Sequence, residues 1–330
     1  MPKLLAGDVG ATKTILGIYA AEQGPREPLA EATFSSSQYP SLAAVAGAFL
    51  AETGLAVEDA CFGVAGPVVK GQATISNLPW RIDQRELMEA LKLKSMLLIN
   101  DVEAAAEGVP LLTAAERHCL NKGEEIQGGT KAIIAAGTGL GEAFLSWDGS
   151  RYRAHASEGG HVDFASSNAL EDDLLNHLRD QWGHVSYERV CSGMALPFLY
   201  AYLKESGYAE EPVWLAEQLA EADDPTAIIV EAALEQKTQL CVNALDLFCS
   251  ILGAEAGNLA LKVMALGGVY LGGGIPLRII AALEKGPFME AFCYKGRLSE
   301  LMSRIPVYII LDPKIALIGA AFKGLKQLPE

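Results

Sequence analysis

Four short stretches of this 330-residue sequence bring together residue types that can do chemistry: GDVGAT at 7–12, Asn100-Asp101, GTGLGE at 137–142 and SEGGHVDFA at 157–165. The first and third place glycines next to a threonine. Glycine lets a phosphate come close to the backbone, and free N–H groups and the Thr hydroxyl donate to an anion. Neither spacing matches the G-x-x-x-x-G-K-[ST] loop or G-x-G-x-x-G, since Lys13 follows Thr12 rather than a glycine. A ligand-free Gly-rich hairpin turn is the alternative for either stretch taken alone. Two such turns facing one another would grip a polyphosphate from opposite walls. Asp8 then has a role, because a carboxylate beside phosphates needs a cation between, and Mg²⁺ binds through few carboxylates plus waters and phosphate oxygens. A turn-capping side chain is the other reading of Asp8.

Asn100-Asp101 falls where the apolar run SMLLI gives way to VEAAAEG, the junction at which α/β proteins present reactive groups. Phosphoryl transfer to an alcohol asks for positioning, charge neutralisation and a base for the hydroxyl proton, and Asp101 suits the last task. An N-cap aspartate is the competing reading. In SEGGHVDFA, Glu158 and His161 flank two glycines; carboxylates and an imidazole around a ring of hydroxyls can orient a sugar. A turn with a core histidine is the alternative there. Glu188, in SYERVCSG, is either a further contact or an exposed helix-start carboxylate. Gly272 and Gly273, in LGGGI, either make room for a flat ring or form a tight strand-to-helix turn.

The elements that must position these groups alternate in order. Apolar runs at 3–7, 14–20 and 30–35 read as strands, SLAAVAGAFLAET (41–53) as a helix capped by Ser41, and DACFGVAG as a strand. A hairpin around Lys70-Gly71 ending at SNLPW, a helix at 83–93 and a strand at 95–101 follow. KAIIAAGTGLGEAFLSW (131–147) then repeats the opening layout, which points to two similar α/β domains. Beyond it come helical stretches at 168–181 and 193–204, one long helix from about 227 to 265, the strand VYLGGGI, a helix at 276–285, the strand at 305–311 and a last helix from Lys314 to about Leu325. No Pro/Ser-rich linker separates the halves.

Composition sets the outer limits. A 50% hydrophobic content can bury a large core, and the formal charge of −15 argues against nucleic acid or an anionic membrane as partner. The six cysteines never approach C-x-x-C spacing and read as buried free thiols. His118, His155, His177 and His184 form no metal-ligand pattern. The longest uncharged apolar stretch, Val263 to Leu277, holds five glycines and falls short of the ~18 residues of a membrane span, and no secretory signal opens the chain, so a cytoplasmic protein is expected.

The strings LAGDVGATKT, ISNLPW, INDVEAAAEGVP, AAGTGLGEAF, SEGGHVDFA, HVSYERVCSG and LGGVYLGGGI, spread in order over most of the chain, resemble the bacterial ATP-dependent glucokinases of the non-ROK, hexokinase-like group. The family often has Gly-Thr-Asn where this chain has Ala11-Thr12-Lys13, and the cysteine-rich motif of the ROK sugar kinases is absent. The resemblance implies duplicated ribonuclease-H-like domains of the actin, Hsp70 and sugar-kinase superfamily around a central cleft. Residues 1–110 with the C-terminal helix 312–330 would form a small α/β domain and residues 111–311 a large one. It further implies transfer of the γ-phosphoryl of Mg·ATP to the 6-hydroxyl of glucose, with Asp101 as base. Asn77, Asn100, Asp101, Glu158, His161 and Glu188 would meet the sugar. Asp8, Gly10, Thr12, Gly137, Thr138, Gly139, Gly272 and Gly273 would meet the nucleotide, Asp8 holding Mg²⁺ through water. A homodimer is expected by resemblance alone. The alternatives are the same fold acting on another hexose or phosphoryl donor, and a non-catalytic sugar-binding regulator.

Overall fold

β1 (Lys3–Val9) is apolar at almost every position because it has neighbours on both sides, β2 (Lys13–Ala20) antiparallel and β4 (Asp59–Val64) parallel. β3 (Ala30–Ser35) alternates half-buried and exposed residues, as an edge strand does. The computed structural model describes residues 2–75 and 78–328. Within them a short hairpin, β5 (Gln72–Thr74) with β6 (Arg81–Asp83), precedes β7 (Ser95–Asn100), and the first sheet runs β3-β2-β1-β4-β7. The chain does turn at Lys70-Gly71, where Val69 and Gln72 exchange N–H to O bonds at 2.9 and 3.0 Å and Lys70 and Gly71 hold φ 53° and 77°, and beyond that turn β5 and β6 pair on either side of 75–80.

A second sheet contains β8 (Arg117–Asn121), β9 (Lys131–Ala136), β10 (Leu140–Trp147), β11 (Tyr152–Ser157), β12 (Val269–Gly272) and β13 (Val307–Ile310), in the order β11-β10-β9-β12-β13-β8. With β8 set aside, the chain-order pattern of the first sheet is repeated strand for strand. The duplication expected from the Gly/Thr turns is therefore present in the topology. By packing, the chain divides into one unit of residues 1–115, 143–157 and 312–330 and another of 116–142 and 158–311.

Helix Leu42–Thr53 starts at Ser41, whose Oγ accepts from the Ala44 N–H at 3.2 Å, and ends at Gly54 in the left-handed region, φ 63°. Such a cap contributes about 1 kcal/mol. In the first unit the C-terminal helix Ile315–Leu325 buries Leu317, Ala320 and Ala321 against Leu4, Cys61, Ile99 and Ala104, so it backs both the central strands and helix Asp101–Gly108. The second unit has the larger core, centred on helix Gln239–Val263.

The single long helix expected from 227 to 265 is two, Pro225–Leu234 and Gln239–Val263. Gln236 at φ 53° breaks the run, and Thr238 caps the second piece by accepting from Cys241 N–H. Gln239–Val263 is long and apolar enough to cross a membrane by length and composition, although Asp246 and Glu255 interrupt it with charge. Some 78% of that apolar window is buried inside the protein, so it is a core helix. Residues 276–285 likewise form two short turns, Gly274–Arg278 and Ile280–Leu283. Cys61, Cys191, Cys241 and Cys249 are buried as expected, whereas Cys119 is exposed and Cys293 half-buried.

Candidate active site

In the first unit the chemistry collects at the C-terminal ends of three adjacent parallel strands. Val9, Val64 and Asn100 lie in register across β1, β4 and β7. Two steps of about 4.8 Å therefore separate the end of the Asp8 strand from the start of the Asp101 helix. Past Val9 the chain turns back through Gly10 to Lys13, closed by Gly10 N–H donating to Lys13 O at 3.0 Å. Buried Ser36 secures this turn, its Oγ donating to Gly10 O at 2.8 Å and its N–H to Thr12 O at 3.0 Å. Nothing in the motif spacing pointed to Ser36, because its role comes from β3 pairing beside β2. Thr12 itself is exposed. Burial is the main force pushing the Asp8 carboxyl up to about 6, with Lys13 opposing it.

Asn100 and Asp101 divide two tasks. Asn100 Oδ1 accepts from Val102 N–H at 2.9 Å and Glu103 N–H at 3.1 Å, and its Nδ2 donates to Gly66 O at 3.1 Å. It is the N-cap of helix Asp101–Gly108. Asp101, the alternative candidate for that cap, is the first helical residue, and its Oδ1 accepts from Val102 N–H at 2.9 Å. The helix N-terminus stabilises a carboxylate there.

In the second unit Glu158, His161 and Glu188 come together. His161 Nε2 is 3.9 Å from Glu158 Oε2 and its Nδ1 4.0 Å from Glu188 Oε1. These spacings leave the ring and both carboxylates with polar atoms open to a ligand; Glu158 and His161 are more than half exposed, Glu188 about a quarter. Gly160 permits the loop, since a Cβ there would overlap Leu140 O. Glu188 Oε2 accepts from Leu140 N–H at 3.0 Å, which ties this cluster to the turn of Gly137, Thr138 and Gly139. That turn is closed by Gly137 N–H donating to Gly139 O at 2.9 Å and by Gly193 N–H donating to Gly137 O at 2.7 Å. Thr138 is exposed at its tip.

β12 pairs with β9 so that Gly272 sits opposite Ala135, which puts Gly273 beside the same turn. Gly273 has φ 87°, and a Cβ there would overlap Ala136 O; Gly272, by contrast, has ordinary room. Asn77 lies outside the described residues. Among the described residues no group of three or more His, Cys, Asp and Glu could hold a metal by itself. A lone carboxylate beside a Gly-containing turn, as at Asp8, fits Mg²⁺, which completes its shell with waters and phosphate oxygens.

The sequence matches the Glucokinase family over residues 5–327. It is 39% identical to a glucokinase of Nostoc punctiforme, the alignment covering 97% of this chain and 98% of that one. The crystal structure of a glucokinase from an Antarctic psychrotroph superposes with a TM-score of 0.83 at 30% identity, covering 99% of this chain and all of that one. A ROK-family glucokinase from Streptomyces griseus, solved with glucose and AMPPNP, shares the fold at a TM-score of 0.66 and 21% identity, covering 98% and 99%. With family and fold matched over nearly its whole length, the chain belongs to the glucokinase family and is an ATP-dependent kinase that phosphorylates glucose.

Proposed function

We propose that Asp101 is the general base that takes the proton of the glucose 6-hydroxyl as the γ-phosphoryl of ATP is transferred to it. The observation that carries this reading is the division of labour at the end of β7. Asn100 takes the cap, so the Asp101 carboxylate stands at a strand end two strands away from the Gly10–Thr12 turn, with β4 between. Asn100 then acts on the sugar mainly by fixing Asp101, because its own oxygen is spent on the helix.

Glu158, His161 and Glu188 hold the sugar hydroxyls, with Asn77 as a further contact. The turns of Gly10 and Thr12, and of Gly137, Thr138 and Gly139, hold phosphate oxygens through N–H and hydroxyl groups. Gly272 and Gly273 leave room for the base and ribose. Asp8 holds Mg²⁺, directly or through water. When bound, the ion offsets the negative charge gathering on the phosphate oxygens.

The six unpaired cysteines suit a reducing cytoplasm, and the homodimer implied by the family resemblance is checked by light scattering. The test of function is ADP release from purified protein with ATP and a panel of hexoses. Glucose should drive release, and chelating the metal should stop it. Release with another hexose in preference to glucose would overturn the assignment of the glucose 6-hydroxyl as the acceptor.

A further inference from the structure

Glu142 and Glu255 are 1% and 0% exposed and lie in direct hydrogen-bonding contact, Glu142 on β10 and Glu255 on helix Gln239–Val263. Glu142 Oε1 has no hydrogen-bond partner among the described residues. Two ionised carboxylates in contact, out of water, repel strongly, so the pair holds one proton. Lys262 Nζ approaches Glu255 Oε1 at 3.4 Å from a half-exposed position, which puts the nearby cation on the Glu255 side and leaves the unpartnered oxygen on the Glu142 side of the pair.

From this pair a closed circuit can be traced. Glu255 Oε2 accepts from Asn258 Nδ2 at 2.9 Å, and the same amide donates to Tyr187 Oη at 3.0 Å. Lys295 Nζ, on Asn258 Oδ1 at 2.8 Å, fixes which way the amide points. Tyr187 is followed by Glu188, whose Oε2 accepts from Leu140 N–H at 3.0 Å. Leu140 precedes Glu142 by two residues on the same strand, which completes the loop.

We propose that the proton shared by Glu142 and Glu255 closes this circuit and that Glu142 is thereby a positioning residue, setting the Glu188 carboxylate for glucose. The proposal rests on Glu188 as a sugar contact. Losing the proton sets two buried carboxylates against each other, pushes β10 from the helix and loosens the Leu140 bond to Glu188. Glucose binding weakens, while the step that uses Asp101 is little changed.

Several groups face the pair. From its own helix come Lys262 and, next to Glu255, Asn258. Cys191 faces it after helix Tyr187–Val190, with a thiol that burial pushes well up. Tyr187 is held protonated by burial and by Glu255. Lys295 faces Glu255 and Glu171, and burial lowers its ammonium. Burial and then Glu255 push the Glu142 carboxyl up, against Lys262, to about 8.

The experiment follows the glucose dissociation constant by calorimetry and the amide proton shift of Leu140 by NMR, from about pH 6.5 to about 9.5, in the wild type, Glu142→Gln and Glu142→Leu. Wild-type glucose affinity should fall by about threefold or more toward alkaline pH, with the Leu140 proton moving upfield as its bond weakens. Glu142→Gln keeps a neutral donor toward Glu255 and should be flat in both readouts, which also separates Glu142 from Lys295. Glu142→Leu should bind glucose roughly tenfold more weakly at every pH, with kcat retained. A Leu140 shift that behaves alike in wild type and Glu142→Gln overturns the proposal whatever the sugar does. A shift that titrates only in the wild type, with glucose affinity flat, supports the circuit and overturns Glu188 as a sugar contact. Should Glu142→Leu fail to fold, Glu255→Gln makes the same test from the other side of the pair.

Discussion

Asn100 caps the helix that Asp101 begins, its Oδ1 accepting two first-turn N–H groups at 2.9 and 3.1 Å. Neighbours in sequence thus have separable duties, and substitutions should separate them. Asp101→Asn keeps the shape and removes the basic carboxylate, so kcat should drop by about 10²–10⁴ with glucose affinity changed far less. Asn100→Ala should cost about 1–2 kcal/mol of stability through the lost cap and the orphaned Gly66 carbonyl. Denaturant melts beside steady-state kinetics make the comparison. Near-normal turnover in Asp101→Asn would return that carboxylate to a structural role.

His161 lies between Glu158 and Glu188 at 3.9 and 4.0 Å, distances too long for direct hydrogen bonds and suited to a hydroxyl between them. Glu158→Gln keeps one acceptor and loses the charge, so the KM for glucose should rise about tenfold with kcat within a few-fold. Because Glu158 is half exposed and holds no buried partner, its melting temperature should not move. An unchanged KM in this variant removes Glu158 from the sugar site.

What the sequence made plain, and what it did not, follows from the range of the interactions. The Gly/Thr turns and the repeated strand layout are local patterns, and the two sheets share one strand order apart from β8, as a duplication requires. The break at Gln236 falls in the polar run Glu235 to Gln239, which holds no Gly or Pro to signal a stop, and only a positive φ and a Thr238 cap mark the second start. The sequence offered Asp101 as the cap, and Asn100 takes it instead because its Oδ1 reaches both Val102 N–H and Glu103 N–H. Ser36 and the Glu142–Glu255 pair were invisible, since residues 26 and 113 positions from their partners carry no spacing signal.

Gly273 and Gly272 are adjacent yet differ in what they tolerate. Gly273 holds φ 87°, with Ala136 O where a Cβ would stand, whereas the nearest atom to a Cβ on Gly272 is 3.5 Å away. Gly273→Ala must shift the end of β12 away from β9 beside the Gly137–Gly139 turn, and should raise the KM for ATP several-fold while destabilising the protein by about 1–3 kcal/mol. Gly272→Ala should do neither. Equal effects from the two variants would show that the nucleotide turn does not depend on this close approach.

Asp8 carries a cost that its proposed task explains. Burial lifts its carboxyl from an ordinary 3.8 to about 6 in the folded chain, the ammonium of Lys13 offsetting only part of the loss of water. A folded value above the unfolded one means stability that is fully present below about pH 4, declines as pH rises through about 6 and stays lost above it. Asp8→Asn does not titrate and should escape the decline. Urea midpoints for wild type and variant should coincide near pH 4 and diverge to a constant gap above about pH 6.5, the variant being more stable by on the order of 1–3 kcal/mol. The same substitution removes the carboxylate offered to Mg²⁺, so the KM for Mg·ATP should rise and kcat fall even as the melting temperature goes up. Stabilisation without loss of activity would mean that Asp8 is not the metal-holding carboxylate, and loss of activity with loss of stability would mean that its charge is already compensated inside the fold.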